Sequence, residues 1–142
     1  MKHLAMTIAL SFPLLLTLAA AQNNQPDDAS AVLATLTNYI EAYYAGDSGR
    51  MEQTLHPHYL KHMIHGDIPM REKTGTQMVQ EVRSNGPVDL PAANKTEQVS
   101  VLDIAGDIAS AKLVTPGWTD YVTLEKINGR WKILSVVQRI DN

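Results

Sequence analysis

The chain has 142 residues, no cysteine and a formal net charge of −3 at neutral pH. That length favours one domain, and the missing cysteines exclude a disulfide framework. A mildly acidic, mixed-sign chain carries no electrostatic footprint for nucleic acid or an anionic membrane. Stability must come from burying apolar surface, and a chain of this size buries roughly two thirds of its unfolded surface.

The first 21 residues stand apart. Lys2 gives a weak positive start, Leu4 to Leu18 is nearly all apolar around Pro13, and Ala19-Ala20-Ala21 offers a small-residue cleavage site before Gln22. This is the layout of a secretory signal peptide, so the expectation is an exported protein, periplasmic or extracellular, cleaved near Ala21/Gln22. A retained membrane anchor is the competing reading. The run falls short of the about 20 apolar residues that a span needs, and no basic flank follows it. With no cysteine there is no lipoprotein anchor either, so no stable anchor is expected after cleavage. Removing Lys2 leaves 11 basic and 15 acidic side chains, a net charge of −4. Residues 22–28 read as a polar, flexible leader, and residues 29–142 as the domain.

Asp27 or Asp28 is placed to cap a first helix. Val32, Leu33, Leu36, Tyr39, Ile40 and Tyr43 then recur at three- and four-residue steps, one apolar helical stripe, which Gly46 ends. A second helix is expected after Asp47 or Ser48, carrying Met51 and Leu55. Pro57 should kink it or start another, and Pro57 to His65 reads as a short helix closed by Gly66. Gly66 to Lys73 reads as a loop or short strand. Thr76 opens a third helix through Gln80 and Val82, ending near Asn85-Gly86.

After a connector with two prolines the period changes. Four runs rich in Val, Ile, Leu and Thr follow: residues 96–104, 107–114, 118–127 and 130–140. Gly106-Asp107, Pro116-Gly117 and Asn128-Gly129 separate them, and Asn-Gly between two such runs is a strong hairpin signal. Helices first and then a meander of strands is class α+β. Alternation puts Trp118, Asp120, Val122 and Leu124 on one face, expected to meet the helices. Tyr121, Leu134 and Val136 fall on the outer parity, unless a bulge shifts the register.

The opening helix with Tyr39, Tyr43 and Tyr44, the segment Leu55-His56-Pro57, the hairpin Gly106-Asp107-Ile108-Ala109 and the closing run from Trp118 to Ile133 together resemble the nuclear transport factor 2-like superfamily. More narrowly they resemble its lumazine-binding (SnoaL-like) branch, over about residues 30 to 140. The resemblance implies a cone-shaped, cystatin-like roll with three N-terminal helices packed on a curved antiparallel sheet. It also implies a pocket between helices and sheet, and often a dimer through the outer sheet face. Relatives include isomerases, dehydratases and cyclases, and fold does not fix function.

His56, His58, His62 and His65 lie close in sequence. On a helix from Pro57, residues 58, 62 and 65 share one face and Tyr59, Leu60, Met63 and Ile64 the other, so the histidines are expected to face water and no functional metal site is expected. His56, beside Pro57, could turn toward the pocket as a general acid or base, or serve only as a hydrogen-bonding residue. Asp120 is the sharpest catalytic candidate, because a carboxylate on an apolar strand face is costly unless paired; a purely structural role would look the same. Tyr39, Tyr43, Tyr59 and Trp118 could wall a flat ligand, or be core. Three functions follow. The first is an exported pocket protein for a small hydrophobic or aromatic ligand, without catalysis and without a cofactor. The second is a cofactor-independent isomerase, dehydratase or cyclase using Asp120 with a tyrosine or His56. The third is a homodimeric interaction module.

Overall fold

The computed structural model describes residues 27–141; the expected signal peptide and most of the leader lie outside the described residues. Helix α1 (Asp28–Ala45) starts where the Asp27 carboxylate accepts the Ser30 N–H at 2.7 Å. It begins one residue earlier than the leader boundary expected from the sequence. It ends at Gly46, whose φ of 68° is left-handed, a conformation that suits glycine because it has no Cβ to clash. A Cβ there would also lie 2.2 Å from the Gly86 carbonyl carbon, so the end of α1 meets the chain at residue 86 through two glycines.

Helix α2 (Ser48–Thr54) is short and runs straight into strand β1 (Leu55–His65). Here the sequence-based expectation fails: Pro57 to His65 is a strand, not a helix, and Leu55 is its first residue. β1 pairs antiparallel with β2 (Ile68–Thr74) and parallel with β6 (Arg130–Ile140). The pairing with β6 is irregular between Leu55 and Leu60, where Pro57 has no N–H to give. Tyr59, Lys61 and Met63 point inward with period two. The charged middle member of that trio hides the alternation and lets a helical period fit the same residues.

Thr74 and Gln77 form a capping box at the start of α3 (Gly75–Asn85). Strands β3 (Gln98–Ala105), β4 (Ile108–Val114), β5 (Trp118–Ile127) and β6 complete the chain. The last hairpin turns on Asn128 and Gly129, both at positive φ (50° and 74°), as an Asn-Gly turn requires. The six strands form one sheet in the order β2-β1-β6-β5-β4-β3. The class is α+β as expected, with one parallel pair, β1 and β6, inside an otherwise antiparallel sheet.

The core lies between the helices and one sheet face. Val32, Leu36 and Ile40 of α1 meet Leu113, Leu124 and Ile133 of the sheet. One parity expectation is corrected: Val136 is not on the outer face but fully buried. Thr123 pairs with Ser135 and Leu124 with Ile133, leaving Leu134 as an extra residue. That bulge flips every β6 side chain beyond it. Val137 takes the outer position instead, opposite Tyr121.

Candidate functional site

A cavity of about 490 Å³ opens between α1, α3 and the β2-β1-β6-β5 part of the sheet. Tyr39, Ile40 and Tyr43 of α1 form one side, and Met78 and Glu81 of α3 another. Lys61 and Met63 come from β1, Arg71 to Lys73 from β2, Trp118 from β5, and Gln138 and Ile140 from β6. Tyr43 and Trp118 meet edge to face, with ring centroids 5.7 Å apart at 81°. Apolar walls with a few converging polar groups are the usual make-up of a small-molecule site.

The polar groups converge on one lysine. Lys61 is 5 % exposed and its Nζ donates to the Tyr39 hydroxyl at 3.3 Å. The Tyr39 and Tyr59 hydroxyls are 3.2 Å apart. The Tyr39 oxygen has two lone pairs, so it can accept from the ammonium and from Tyr59 together, which leaves its own proton for a third partner. On the other side Lys61 Nζ lies 3.7 Å from Oδ2 of Asp120, which is 0 % exposed. Neither Asp120 oxygen is met by a donor at hydrogen-bonding geometry among the described residues.

Burial dominates the electrostatics of this group. It pushes the Asp120 carboxyl above the usual carboxylate range, against the opposing charge of Lys61 and weaker help from Gln138 and Trp118. It pushes the Lys61 ammonium down; Asp120 resists that shift and Lys73 adds to it. The Tyr39 and Tyr59 phenols are both raised, again chiefly by burial. Each group is thus driven toward its neutral form, and the mutual attraction of Lys61 and Asp120 keeps their charges in place. A fold gains little net stability from such a pair, and perturbed titratable groups beside a cavity make it the candidate functional site.

Toward the mouth, Lys73 is paired with Glu81, and Glu72 with His62 at 3.1 Å. Arg71 lines the same mouth, exposed and with no ion-pair partner among the described residues. Among the described residues the cavity therefore offers a ligand one unpaired cation, Arg71 at the rim, and one shared with Asp120, Lys61 in the depth.

Of the residues singled out in the sequence, Tyr39, Tyr43 and Trp118 line the cavity, whereas Tyr59 and Asp120 stand behind its wall, covered by Tyr39 and Lys61. His56 is elsewhere. Its Nδ1 accepts the His58 N–H at 2.9 Å and its Nε2 lies 3.1 Å from Glu125. Glu125 is an odd number of residues from Asp120 along a regularly paired strand, hence on the opposite face. His56 lines a separate depression with α2 and α3, so it is not brought to Asp120, and its polar contacts are the local ones to His58 and Glu125. Among the described residues no cluster of three or more metal-ligating side chains occurs. Sequence reasoning missed Lys61 and Arg71. The available signal for Lys61 was the demand that an inward Asp120 makes for a cation.

Comparison with known proteins agrees with this architecture. The family described as "Putative lumazine-binding" matches residues 27–138. Among proteins of curated function, none matches the sequence. An NTF2-like protein of unknown function from Methylobacillus flagellatus superposes with a TM-score of 0.66 at 22 % identity, covering 84 % of this chain and 97 % of that one. A ketosteroid isomerase-like protein from Erwinia carotovora atroseptica gives 0.60 at 11 % identity, covering 82 % and 98 %. A cystatin-like fold protein from Burkholderia xenovorans gives 0.57 at 19 %, covering 82 % and 94 %. At these identities the likeness is one of fold. With that family's model matched over residues 27–138, this chain belongs to the family described as "Putative lumazine-binding", and its fold is NTF2-like.

Proposed function

We propose that the protein is an exported binder of small ring-bearing molecules that carry an anionic or hydrogen-bond-accepting oxygen. The observation that carries the reading is Lys61, a buried ammonium presented to the cavity wall between Tyr39 and Asp120. A ligand oxygen would accept from Lys61 and from Tyr39, the only side chains of the network that reach the cavity among the described residues. Tyr43 and Trp118 supply a flat apolar wall, and Arg71 a second cation at the rim. The family's description points the same way, since lumazine is a flat heterocycle with carbonyl oxygens. The signal-peptide-like start of the sequence supports export, and the exposed pair Tyr121 and Val137 on the outer sheet face supports a homodimer through that face.

Asp120 favours binding over acid–base turnover. A general base must come within hydrogen-bond reach of the proton that it removes, and Asp120 is sealed behind Lys61. Its role in this reading is to hold Lys61 charged. Isothermal titration with lumazine and with 4-methylbenzoate tests the proposal: at least one binds, and Tyr39→Phe weakens it about fivefold to tenfold, as loss of one hydrogen bond to a charged or polar oxygen does. Unchanged affinity in Tyr39→Phe would refute this placement of the ligand.

A further inference from the structure

We propose that Lys61 captures carbonyl-bearing ligands covalently and reversibly, as an imine, with Asp120 as the resident proton acceptor and Tyr39 as the proton relay. The inference rests on the binding site just described and deepens it by naming the ligand class: aromatic aldehydes or ketones carrying an acidic group.

An amine attacks a carbonyl only as the free base, and an exposed lysine at neutral pH is almost wholly protonated. Two features of this site favour the free base, and a third gives the proton somewhere to go. Lys61 is buried, which disfavours its charge. A second ammonium, that of Lys73, is close enough to lower its proton affinity further. Asp120 at 3.7 Å favours the ammonium at rest, but neither of its oxygens meets a donor at hydrogen-bonding geometry among the described residues, so it can take the proton without releasing it to solvent. A lysine kept only for its charge would need none of this, and an arginine would serve better.

The step balances within the residues present. Lys61 passes one proton to Asp120, leaving an amine and a carboxylic acid. The amine lone pair attacks the carbonyl carbon, forming the C–N bond, and the C=O π pair moves to oxygen. The Tyr39 hydroxyl, 3.3 Å from Nζ, accepts a proton from nitrogen while giving its own to that oxygen, producing the carbinolamine. The same relay moves the remaining N–H proton to the hydroxyl, which leaves as water through the cavity mouth as the C=N bond forms. Asp120 then returns its proton to the imine nitrogen. The cation beside Asp120 is regenerated, so the site's net charge is the same before and after capture. Arg71 at the rim fits the acidic end of the ligand.

The test uses the full domain with 4-carboxybenzaldehyde and cyanoborohydride, followed by peptide mass spectrometry, alongside titration with 4-methylbenzoate, which has the same ring and carboxylate but no aldehyde. The expected result is a reduced adduct at Lys61 that forms about tenfold or more faster than at half-buried Lys95 or Lys112 and is suppressed by excess 4-methylbenzoate. Mapping on the unmodified protein needs no variant. Binding of 4-methylbenzoate with no preference for Lys61 would overturn the imine and leave the binding site standing. Neither binding nor adduct would overturn both.

Discussion

Replacing Lys61 with methionine keeps the length and much of the volume of the side chain but removes its charge, so the perturbation falls on Asp120. That carboxylate is fully buried, and Lys61 is its only ion-pair partner among the described residues. Breaking a buried pair in this way costs about 3–5 kcal/mol. The loss also has a ceiling, because the carboxyl can fold protonated. Holding a proton at pH 7 on a group that ordinarily titrates near 3.9 costs about 1.4 kcal/mol per pH unit, or about 4 kcal/mol. Such a loss corresponds to a fall of roughly 12–16 °C in Tm for a domain of this size. The sign with pH follows. In the variant the native state holds a proton that the unfolded state has released, so its stability rises as pH falls from 7 and levels off near the ordinary carboxyl value. Asp120→Leu should cost less, about 1–2 kcal/mol, because the lysine that it strands reaches the cavity. The double variant, with both charges gone, should approach the native protein or exceed it. Urea unfolding followed by circular dichroism at several pH values between 4 and 8 measures all three. A Lys61→Met penalty that stays constant from pH 7 to pH 4, or a double variant as unstable as the sum of the single ones, would refute the pairing.

Two further outcomes follow from the geometry. Gly46→Ala places a methyl 2.2 Å from the Gly86 carbonyl carbon at a φ of 68°, so thermal unfolding should show a loss above about 2 kcal/mol; a shift under one degree would contradict the close approach of α1 and α3. His56→Gln should leave the affinity for lumazine or 4-methylbenzoate unchanged, because His56 bonds to His58 and Glu125 away from the main cavity. A weakening comparable to that in Tyr39→Phe would return His56 to the site.

Much of this architecture was legible in the sequence, for reasons that also explain where the reading broke. The stripe from Val32 to Tyr43, the third helix and the Asn128-Gly129 hairpin agree with one another at the level of propensity, period and turn chemistry, and all three form. The inward parity of Asp120 was legible from Val122 and Leu124, since β5 runs from Thr119 to Glu125 without a slip. Strand β1 was not, because its inward alternation passes through Lys61, and a lysine in the core is what hydrophobic patterning counts against. Its location was set by a distant partner, β6, which no local pattern reports. The Leu134 bulge escaped for a related reason: Ile133, Leu134, Val136 and Val137 are all apolar, so the pattern cannot say which of them face inward. Local rules failed at Lys61, the residue on which the candidate site turns, as expected where function overrides stability.

The parallel pairing of β1 with β6 also sets when the cavity can exist. β1 is made early, and its only antiparallel neighbour, β2, gives it a hairpin with one open edge. The other edge stays unpaired until β6, at the far end of the domain, has been synthesised. Contacts this distant in sequence form late and slow folding. Lys61 waits on β1, whereas Asp120, Gln138 and Ile140 arrive with the last two strands. A chain still being made thus lacks this cavity. Ligand can act only on the finished fold, where by mass action it would hold the last strand in place.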